Sequence, residues 1–311
     1  MKDVSRREMG QIFSLARALK REHKRGVRNR TLAGKSLAMI FEKPSLRTRV
    51  TFEVGMAQLG GHAVFLGPGE IQLGVRESPA DCARSLSRWV DLIMVRTFSQ
   101  DVVKEMAACA TVPVINGLTD LFHPCQVLTD CLTLLEHKGS LDGLKIAFIG
   151  DGNNMAHTWM QAAEKLPFSF YVACPNGYEP DAEITREAKQ NGAKIAVTHD
   201  VEEAARGADV IYTDVWVSMG QEEESDIRRR SFESYQVNRG VMAMARRDAV
   251  VMHCLPAHRG EEIAGDVLDG PQSIVFDQAE NRLHLQKALL VWALKGFKGL
   301  KKNKEAETFK G

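Results

Sequence analysis

Phe41-Glu42-Lys43-Pro44-Ser45-Leu46-Arg47-Thr48-Arg49-Val50-Thr51-Phe52-Glu53 joins a strand pattern to a helix pattern. The run leading into it, Ser36-Leu37-Ala38-Met39-Ile40-Phe41, is short and apolar and reads as a buried strand. Pro44 and Ser45 open a helix, with Ser45 as the N-cap and good helix formers beyond it. Leu46, Val50, Val54 and Ala57 recur at helical spacing beside a second row of Phe52, Met56 and Leu59, which predicts a tightly packed helix. At the junction stand two hydroxyls, Ser45 and Thr48, and two guanidiniums, Arg47 and Arg49. The free N–H groups and positive dipole end of a helix start already favour an anion. Arginine adds a planar fork of donors that suits phosphate oxygens. A capped helix with merely solvated arginines would use the same residue types. Pairing hydroxyls with arginines at a strand-to-helix turn favours the phosphate site.

Outward from this junction the chain alternates strand and helix. An amphipathic helix precedes it, from about Ser5 to Lys24, ending in the basic run Lys20-Arg21-Glu22-His23-Lys24-Arg25, which reads as a solvated face. After Gly60-Gly61 come a strand at His62–Leu66, a glycine-rich loop from Gly67 to Gly74, and a helix from Ser78-Pro79 to about Val90. Strands follow at Leu92–Val95 and Val112–Asn116, with a helix over Asp101–Ala110 between them. Then comes Asp120-Leu121-Phe122-His123-Pro124-Cys125-Gln126, followed by a long helix to about His137 and a stop at Gly139. The pattern restarts at Lys145–Ile149 and adds strands at Phe168–Ala173, Lys194–Thr198, Val210–Thr213, Val250–His253 and Ser273–Phe276. A final helix spans about Asn281 to Lys298, followed by a polar, frayed tail over Lys301–Gly311. Such alternation predicts an α/β protein of parallel sheets covered by helices on both faces. The boundary between two domains falls near Leu134–Gly139, and the last helix is long enough to return to the first domain.

The chain has 311 residues, 44% hydrophobic and 26% charged, which suits two globular domains with ample core. Its 41 basic and 40 acidic side chains nearly cancel, giving +1, which argues against nucleic acid or a membrane surface held by bulk charge. No apolar run approaches the ~20 residues needed to span a bilayer. The start, Met1-Lys2-Asp3-Val4-Ser5, lacks the apolar core of a signal peptide. Six cysteines without Cys-x-x-Cys spacing suggest neither a zinc ribbon nor a disulfide framework. A cytoplasmic protein is expected.

In open parallel sheets ligands sit outside the carboxyl ends of the strands. Reading those ends gives Ser45, Arg47, Thr48, Arg96, His123 and Gln126 in the first half. The second half gives Asn154, Asp214, Ser218, Met219, His253, Cys254 and Leu255. One set is cationic and hydroxylic, the other amide and carboxylate, as a phosphate and an amino-acid-like group would require. Singly, each has a plain alternative: His123 as a loop histidine, Arg96 as a surface ion-pair partner, Cys254 as inert packing. Gly150-Asp151-Gly152 resembles a dinucleotide fingerprint, but Met155 replaces its third glycine and Cys174-Pro175 the expected acid, so that reading is rejected.

Several segments resemble the signatures of the aspartate/ornithine carbamoyltransferase family, on its ornithine-using side. They are Phe41–Glu53, His123-Pro124-Cys125-Gln126, Asn154 within Gly150–Asn154, Asp214–Gly220, His253-Cys254-Leu255-Pro256 and Asp277–Arg282, in the family's order along nearly the whole chain. The resemblance implies two Rossmann-like domains, a homotrimer or a higher assembly of trimers, and carbamoyl transfer from carbamoyl phosphate to ornithine, in arginine biosynthesis or its reverse. It assigns carbamoyl phosphate to 1–135, completed by about 283–311, and ornithine to 136–282. It places Ser45, Leu46, Arg47, Thr48, Arg96, His123, Pro124, Cys125, Gln126, Cys254, Leu255 and Arg282 around carbamoyl phosphate. Gln72 matches a residue that reaches a neighbouring subunit's site. Asn154, Asp214, Ser218 and Met219 are assigned to ornithine, and Arg96, His123 and Cys254 to catalysis. No metal and no cofactor are expected. Leu46 stands where many members have threonine, although its backbone N–H survives. The chain also starts close to its first helix, which leaves room for a missing leading segment. A non-catalytic binding or regulatory relative is the competing class, and the joint presence of the arginines, His123 and Cys254 argues against it.

Overall fold

The computed structural model describes residues 1–308, with their side chains except those of Glu222 and 297–308. The chain divides into two compact units: Arg7–Cys125 with the segment from Arg282 onward, and Gln126–Asn281 with Met1–Arg6. Lys165 explains the second membership of the N-terminus, because its Nζ donates to the carbonyls of Met1, Lys2 and Val4 at 2.6, 2.9 and 2.7 Å.

The first unit contains, in chain order, α1 (Arg6–Lys24), β1 (Ser36–Phe41), α2 (Leu46–Gln58), β2 (His62–Leu66), α3 (Pro68–Ile71) and α4 (Pro79–Leu86). It continues with β3 (Leu92–Arg96), α5 (Gln100–Cys109), β4 (Val114–Leu118) and the start of α6 (Pro124–His137). All four strands are parallel, in the order β2-β1-β3-β4. On one face Ala38, Ile40, Ile93 and Val95 pack with Cys82, Leu86, Val103 and Met106 from α4 and α5. Alternation sends Leu37, Met39 and Met94, all at 0% exposure, to the other face. The register sets Phe41 beside Arg96, so the ends of β1 and β3 are level and a short step from α2.

The second unit comprises β5 (Lys145–Ile149), α7 (Asn154–Ala163), β6 (Ser169–Ala173), α8 (Ala182–Gln190), β7 (Lys194–Thr198) and α9 (Val201–Ala205). Then come β8 (Val210–Thr213), α10 (Ser225–Phe232), α11 (Arg239–Met244), β9 (Val250–His253) and α12 (Gly265–Leu268), with α13 (Val275–Thr308) beginning in this unit. Its five parallel strands run β7-β6-β5-β8-β9. Ile149, Ile211 and Val251 pack with Phe232, Tyr235 and Val241 on one face. On the other, Phe148, Phe170 and Tyr212 surround Trp159 of α7, with ring centroids 5.7 to 6.3 Å apart along the chain of contacts. Each such buried aromatic contributes about 1.5–3 kcal/mol of burial free energy.

Some expectations are corrected. On α2 the buried residues are Thr48, Phe52, Gly55 and Met56, with Leu59 following. Leu46, Val50 and Val54 are 72%, 43% and 37% exposed, and Ala57 is exposed too, so only one apolar row packs. Ser273–Phe276 is not a strand: Ser273 makes one isolated bridge to Val251, and α13 starts at Val275. The fourth strand lies two residues later than expected, at Val114–Leu118, and α4 ends at Leu86 instead of near Val90. The loop after β2 contains the single turn of α3. The last helix continues past Lys298 to Thr308, and the end of the expected frayed tail, 309–311, lies outside the described residues.

Candidate active site

In the first unit the chemistry gathers where β1 passes into α2. Ser45 has extended backbone (φ −163°, ψ 115°), and its Oγ accepts the Thr48 N–H at 3.2 Å, capping the helix as its residue type predicts. Thr48 is buried, and its Oγ1 accepts from Arg282 Nη2 at 3.0 Å. Arg282 is only 2% exposed. With the Gln286 amide turned to suit both neighbours, its oxygen accepts from Arg282 Nη2 and Nε at 2.8 and 3.2 Å, and its nitrogen donates to Thr51 Oγ1. This network holds the guanidinium against the first turn of α2, although some 230 residues separate them in sequence.

Arg96, at the end of β3, is 5% exposed and donates from Nε to the Lys43 carbonyl at 3.2 Å. Lys43 is itself buried, ion-paired to Asp120 and seated 4.4 Å from the centre of the Phe98 ring. Gly117 on the neighbouring strand lets β4 lie close to Met94, since a Cβ there would lie 2.5 Å from Met94 Sδ. His123 is 7% exposed, and its pKa is driven well below the ordinary histidine range. Burial is the first cause, followed by the positive charges of Arg282, Arg96 and Arg47. Three guanidiniums thus act on one neutral imidazole. The half-buried Arg47 lies in the first turn of α2. Pro124 opens α6, and Cys125 beside it is a packed thiol with its pKa pushed up to about 11 by burial. Its Sγ donates to the Asn116 carbonyl at 3.3 Å.

Two further residues assigned with this group have these surroundings. Gln126 belongs to the second unit, where its Nε2 donates to Asp130 Oδ1 at 2.8 Å. Gln72 is exposed in left-handed backbone (φ 51°) at the end of α3, and its side chain makes no hydrogen bond among the described residues.

In the second unit Asp214 is the hub. It follows β8, is 8% exposed, and accepts from the Val215 N–H and from Cys254 Sγ on Oδ1, at 2.8 and 2.9 Å. Its Oδ2 accepts from Asn153 Nδ2 at 2.9 Å. Asn153 also caps α7 through the Met155 N–H, so the residue tied to Asp214 is Asn153, while Asn154 is the first residue of the helix. Sequence reading missed Asn153. The segment that carries Ser218 and the 44%-exposed Met219 is anchored on both sides. The Ser218 N–H donates to Gln221 Oε1 at 3.1 Å, and Arg228 Nη1 donates to the Trp216 carbonyl at 3.1 Å. Arg228 Nη1 also meets Asp151 Oδ2 at 3.0 Å, and burial nevertheless pushes the Asp151 pKa up to about 6. The glycines of Gly150-Asp151-Gly152 have packing reasons: a Cβ on Gly152 would lie 2.2 Å from Pro180 N, and Gly150 has φ +146°.

Past β9, buried His253 accepts the Leu255 N–H on Nδ1 at 2.8 Å and meets Glu262 Oε1 with Nε2 at 3.1 Å. That pairing fixes the tautomer with the proton on Nε2, because Nδ1 must accept. It also stabilises Leu255 in left-handed backbone (φ 56°), a conformation unfavourable for a branched residue. Behind this loop lies a buried network absent from the sequence reading. Asp130 accepts from Tyr212 Oη at 3.0 Å and Gln278 Nε2 at 2.7 Å, and Gln278 Oε1 accepts the His253 N–H at 3.1 Å. Asp214, His253 and Cys254 bring potential metal-ligand atoms within 4.8 Å of one another. Those atoms are engaged in the hydrogen bonds just described.

Residues 1–136 match the carbamoyl-P binding domain of the aspartate/ornithine carbamoyltransferases, and residues 142–293 match their Asp/Orn binding domain. The chain is 54% identical over 289 residues to the ornithine carbamoyltransferase of Syntrophus aciditrophicus, covering 93% of this chain and 96% of the relative. With the enzyme of Desulfotalea psychrophila the identity is 56% over 289 residues, covering 93% and 95%. The solved ornithine carbamoyltransferase of Pyrococcus furiosus is similar at a TM-score of 0.91 and 50% identity, over 94% of this chain and 95% of that one.

Proposed function

The chain belongs to the aspartate/ornithine carbamoyltransferase family, and from that premise we infer that it transfers the carbamoyl group of carbamoyl phosphate to the side-chain amine of L-ornithine, giving L-citrulline and phosphate. It is an enzyme with that activity, serving arginine biosynthesis or the reverse direction. One observation carries the residue assignment: Arg47, Arg96 and Arg282 all act on a buried, neutral His123 beside a capped helix start.

In this reading the phosphate lies on the first turn of α2, held by Ser45, the Leu46 N–H, Arg47 and Thr48. Arg282, braced by Thr48 and Gln286, adds a second cation. The carbamoyl oxygen takes hydrogen bonds from Arg96 and from the N–H of His123, with Gln126 and the backbone at Pro124–Cys125 completing the contacts. A neutral imidazole donates one proton without adding charge to a site rich in guanidinium. Phosphate gains negative charge as it leaves, and fixed cations stabilise that charge without reorganising.

Ornithine is assigned to Asn154, Asp214, Ser218 and Met219, with Asp214 holding the α-ammonium. Its neutral side-chain amine attacks the carbamoyl carbon, so a C–N bond forms as a tetrahedral centre. The C–O bond to phosphate then breaks, and the departing phosphate takes the amine's proton. Cys254 and the Leu255 carbonyl orient the amine. The Cys254 thiol donates to Asp214, so its proton is committed to a hydrogen bond, and a thiolate nucleophile is not favoured. Carbamoyl phosphate is already activated, and the reaction requires no metal or organic cofactor.

The working unit is a homotrimer in the cytoplasm. Its support is the exposed apolar row of Leu46, Val50 and Val54 on α2 and the exposed Gln72, whose side chain makes no hydrogen bond among the described residues. No described helix is long and apolar enough to cross a membrane. The decisive assay offers carbamoyl phosphate with ornithine, putrescine, acetylornithine and aspartate in parallel. Citrulline and phosphate should form in equal amounts with ornithine. Carbamoyl phosphate binding without phosphate release would instead mark a pure binder.

A further inference from the structure

The end of α1 borders an open cavity of about 510 Å³ that takes no part in the chemistry above. It is walled by Leu19 and Val27, by Ala57 and Gln58 at the end of α2, and by Lys287 of α13. Lys287 gives the cavity its character. It is 3% exposed, and its only hydrogen bond among the described residues runs from Nζ to Gln58 Oε1 at 3.0 Å. An ammonium has three donors and is strongly hydrated, so a single neutral amide leaves its buried charge uncompensated. Burial accordingly lowers the Lys287 pKa, against the pull of the Glu22 carboxylate.

Glu22 does not neutralise it. Its Oε2 accepts from Asn29 Nδ2 at 2.7 Å, and it forms no ion pair with Lys287. Arg28 and Arg30 also line the cavity, exposed and without an ion pair among the described residues. Three cations therefore line the cavity with one carboxylate, together with His23, Asn29 and Gln58 and the apolar side chains of Leu19, Val27 and Ala57. We propose that this cavity is a binding site for a small organic carboxylate, which pairs with Lys287 and lays its apolar body along Leu19, Val27 and Ala57. Arg28 and Arg30 at the rim attract it electrostatically. An inorganic anion would satisfy Lys287 but leave the aliphatic wall wet, so a carboxylate with a short hydrocarbon chain fits better.

The test is 19F NMR titration of the full-length protein with 4,4,4-trifluorobutyrate, with 4,4,4-trifluorobutanol as the uncharged control. The carboxylate should bind and the alcohol should not. Lys287→Met should weaken binding by about tenfold or more, the loss expected for a charge-assisted contact. Arg28→Glu, on an exposed side chain that leaves folding intact, should weaken it as well and keeps the test decisive if Lys287→Met fails to fold. Arg47→Ala should leave the titration unchanged. Equal binding of acid and alcohol, insensitivity to Arg28→Glu, or loss of binding in Arg47→Ala would overturn the proposal, the last by placing the probe at the phosphate site. Added inorganic phosphate should compete with the probe only weakly, and full displacement by phosphate at equal concentration would show that the aliphatic wall contributes nothing.

Discussion

Replacing Arg282 by methionine tests the first half-site through two independent readouts. The side chain is 2% exposed and donates to Thr48 Oγ1, so its loss removes a cation and leaves the first turn of α2 less firmly held. Removing one preorganised donor of this kind typically costs ~10²–10³ in turnover. The same change acts on His123, for which Arg282 is the largest charge opposing protonation. Without it the protonated imidazole is less disfavoured, so the His123 pKa must rise, while burial still holds it below the ordinary ~6.5. The folded value lies below the unfolded one, so wild-type stability is full above ~6.5 and falls as pH drops towards the folded pKa. Arg282→Met should make that fall shallower. Arg282→Lys retains the charge, so it should keep the His123 pKa low while losing the forked contact and most of the turnover. Steady-state kinetics and 15N NMR of the histidines, with His123→Asn for assignment, read both effects. Turnover within threefold of wild type, or a His123 pKa that fails to rise in Arg282→Met, would refute the reasoning.

Cys254→Ser should weaken turnover without abolishing it, and mass spectrometry after quenching should find no carbamoylated Cys254; a stoichiometric adduct would make the thiol a nucleophile. Gly152→Ala should lower the melting temperature sharply, because its Cβ would meet Pro180 N at 2.2 Å; an unchanged melting curve would show that the Gly152–Pro180 packing is looser than it stands. Mixing inactive Gln72→Ala and Arg47→Ala proteins should regenerate some activity after subunit exchange if Gln72 completes a neighbour's site. No recovery despite proven exchange would make each chain self-sufficient.

The junction at Ser45 was readable because strand, cap and helix start are encoded within a few residues, and the cap forms as its residue type requires. Which face of α2 is buried was not readable, since both rows are apolar and only the approach of the sheet and of Lys287 beside Gly55 decides between them. Arg282 carries no local signal of ligand binding; it was assigned by resemblance, and its physical reason is a contact to Thr48 across most of the chain. Asn153 was missed because an amide at a helix start reads as a cap, and only the fold brings it to Asp214. The Asp130, Tyr212 and Gln278 network was invisible for a similar reason: its members come from three elements that the fold brings together. Ser273–Phe276 misled because a short apolar run fits a strand or a helix start equally well.

Specificity for ornithine can be argued from the lone pairs of Asp214. A carboxylate offers about four acceptor positions. Asn153, the Val215 N–H and Cys254 occupy three, which leaves room for one strong donor such as an α-ammonium. Putrescine has no α-amine or α-carboxylate, so neither this position nor the Ser218–Gly220 turn would be used. Acetylornithine brings a neutral amide and extra bulk to a carboxylate only 8% exposed. Leaving a buried charge without its partner costs ~3–5 kcal/mol. Discounted for water entry, this still predicts a preference for ornithine of at least ~10² in kcat/KM, or about 2.7 kcal/mol. The segment Asp214–Gly220 contains no cation for a second carboxylate, so aspartate should be a poorer acceptor still. Asp214→Asn turns an acceptor into a group that also donates, setting its NH2 against the amide of Asn153 or the thiol of Cys254. Ornithine should lose most of its advantage in that variant, while the slow reaction of putrescine changes little. Equal use of putrescine and ornithine by the unmutated enzyme would refute the assignment of Asp214 and leave carbamoyl transfer itself untouched.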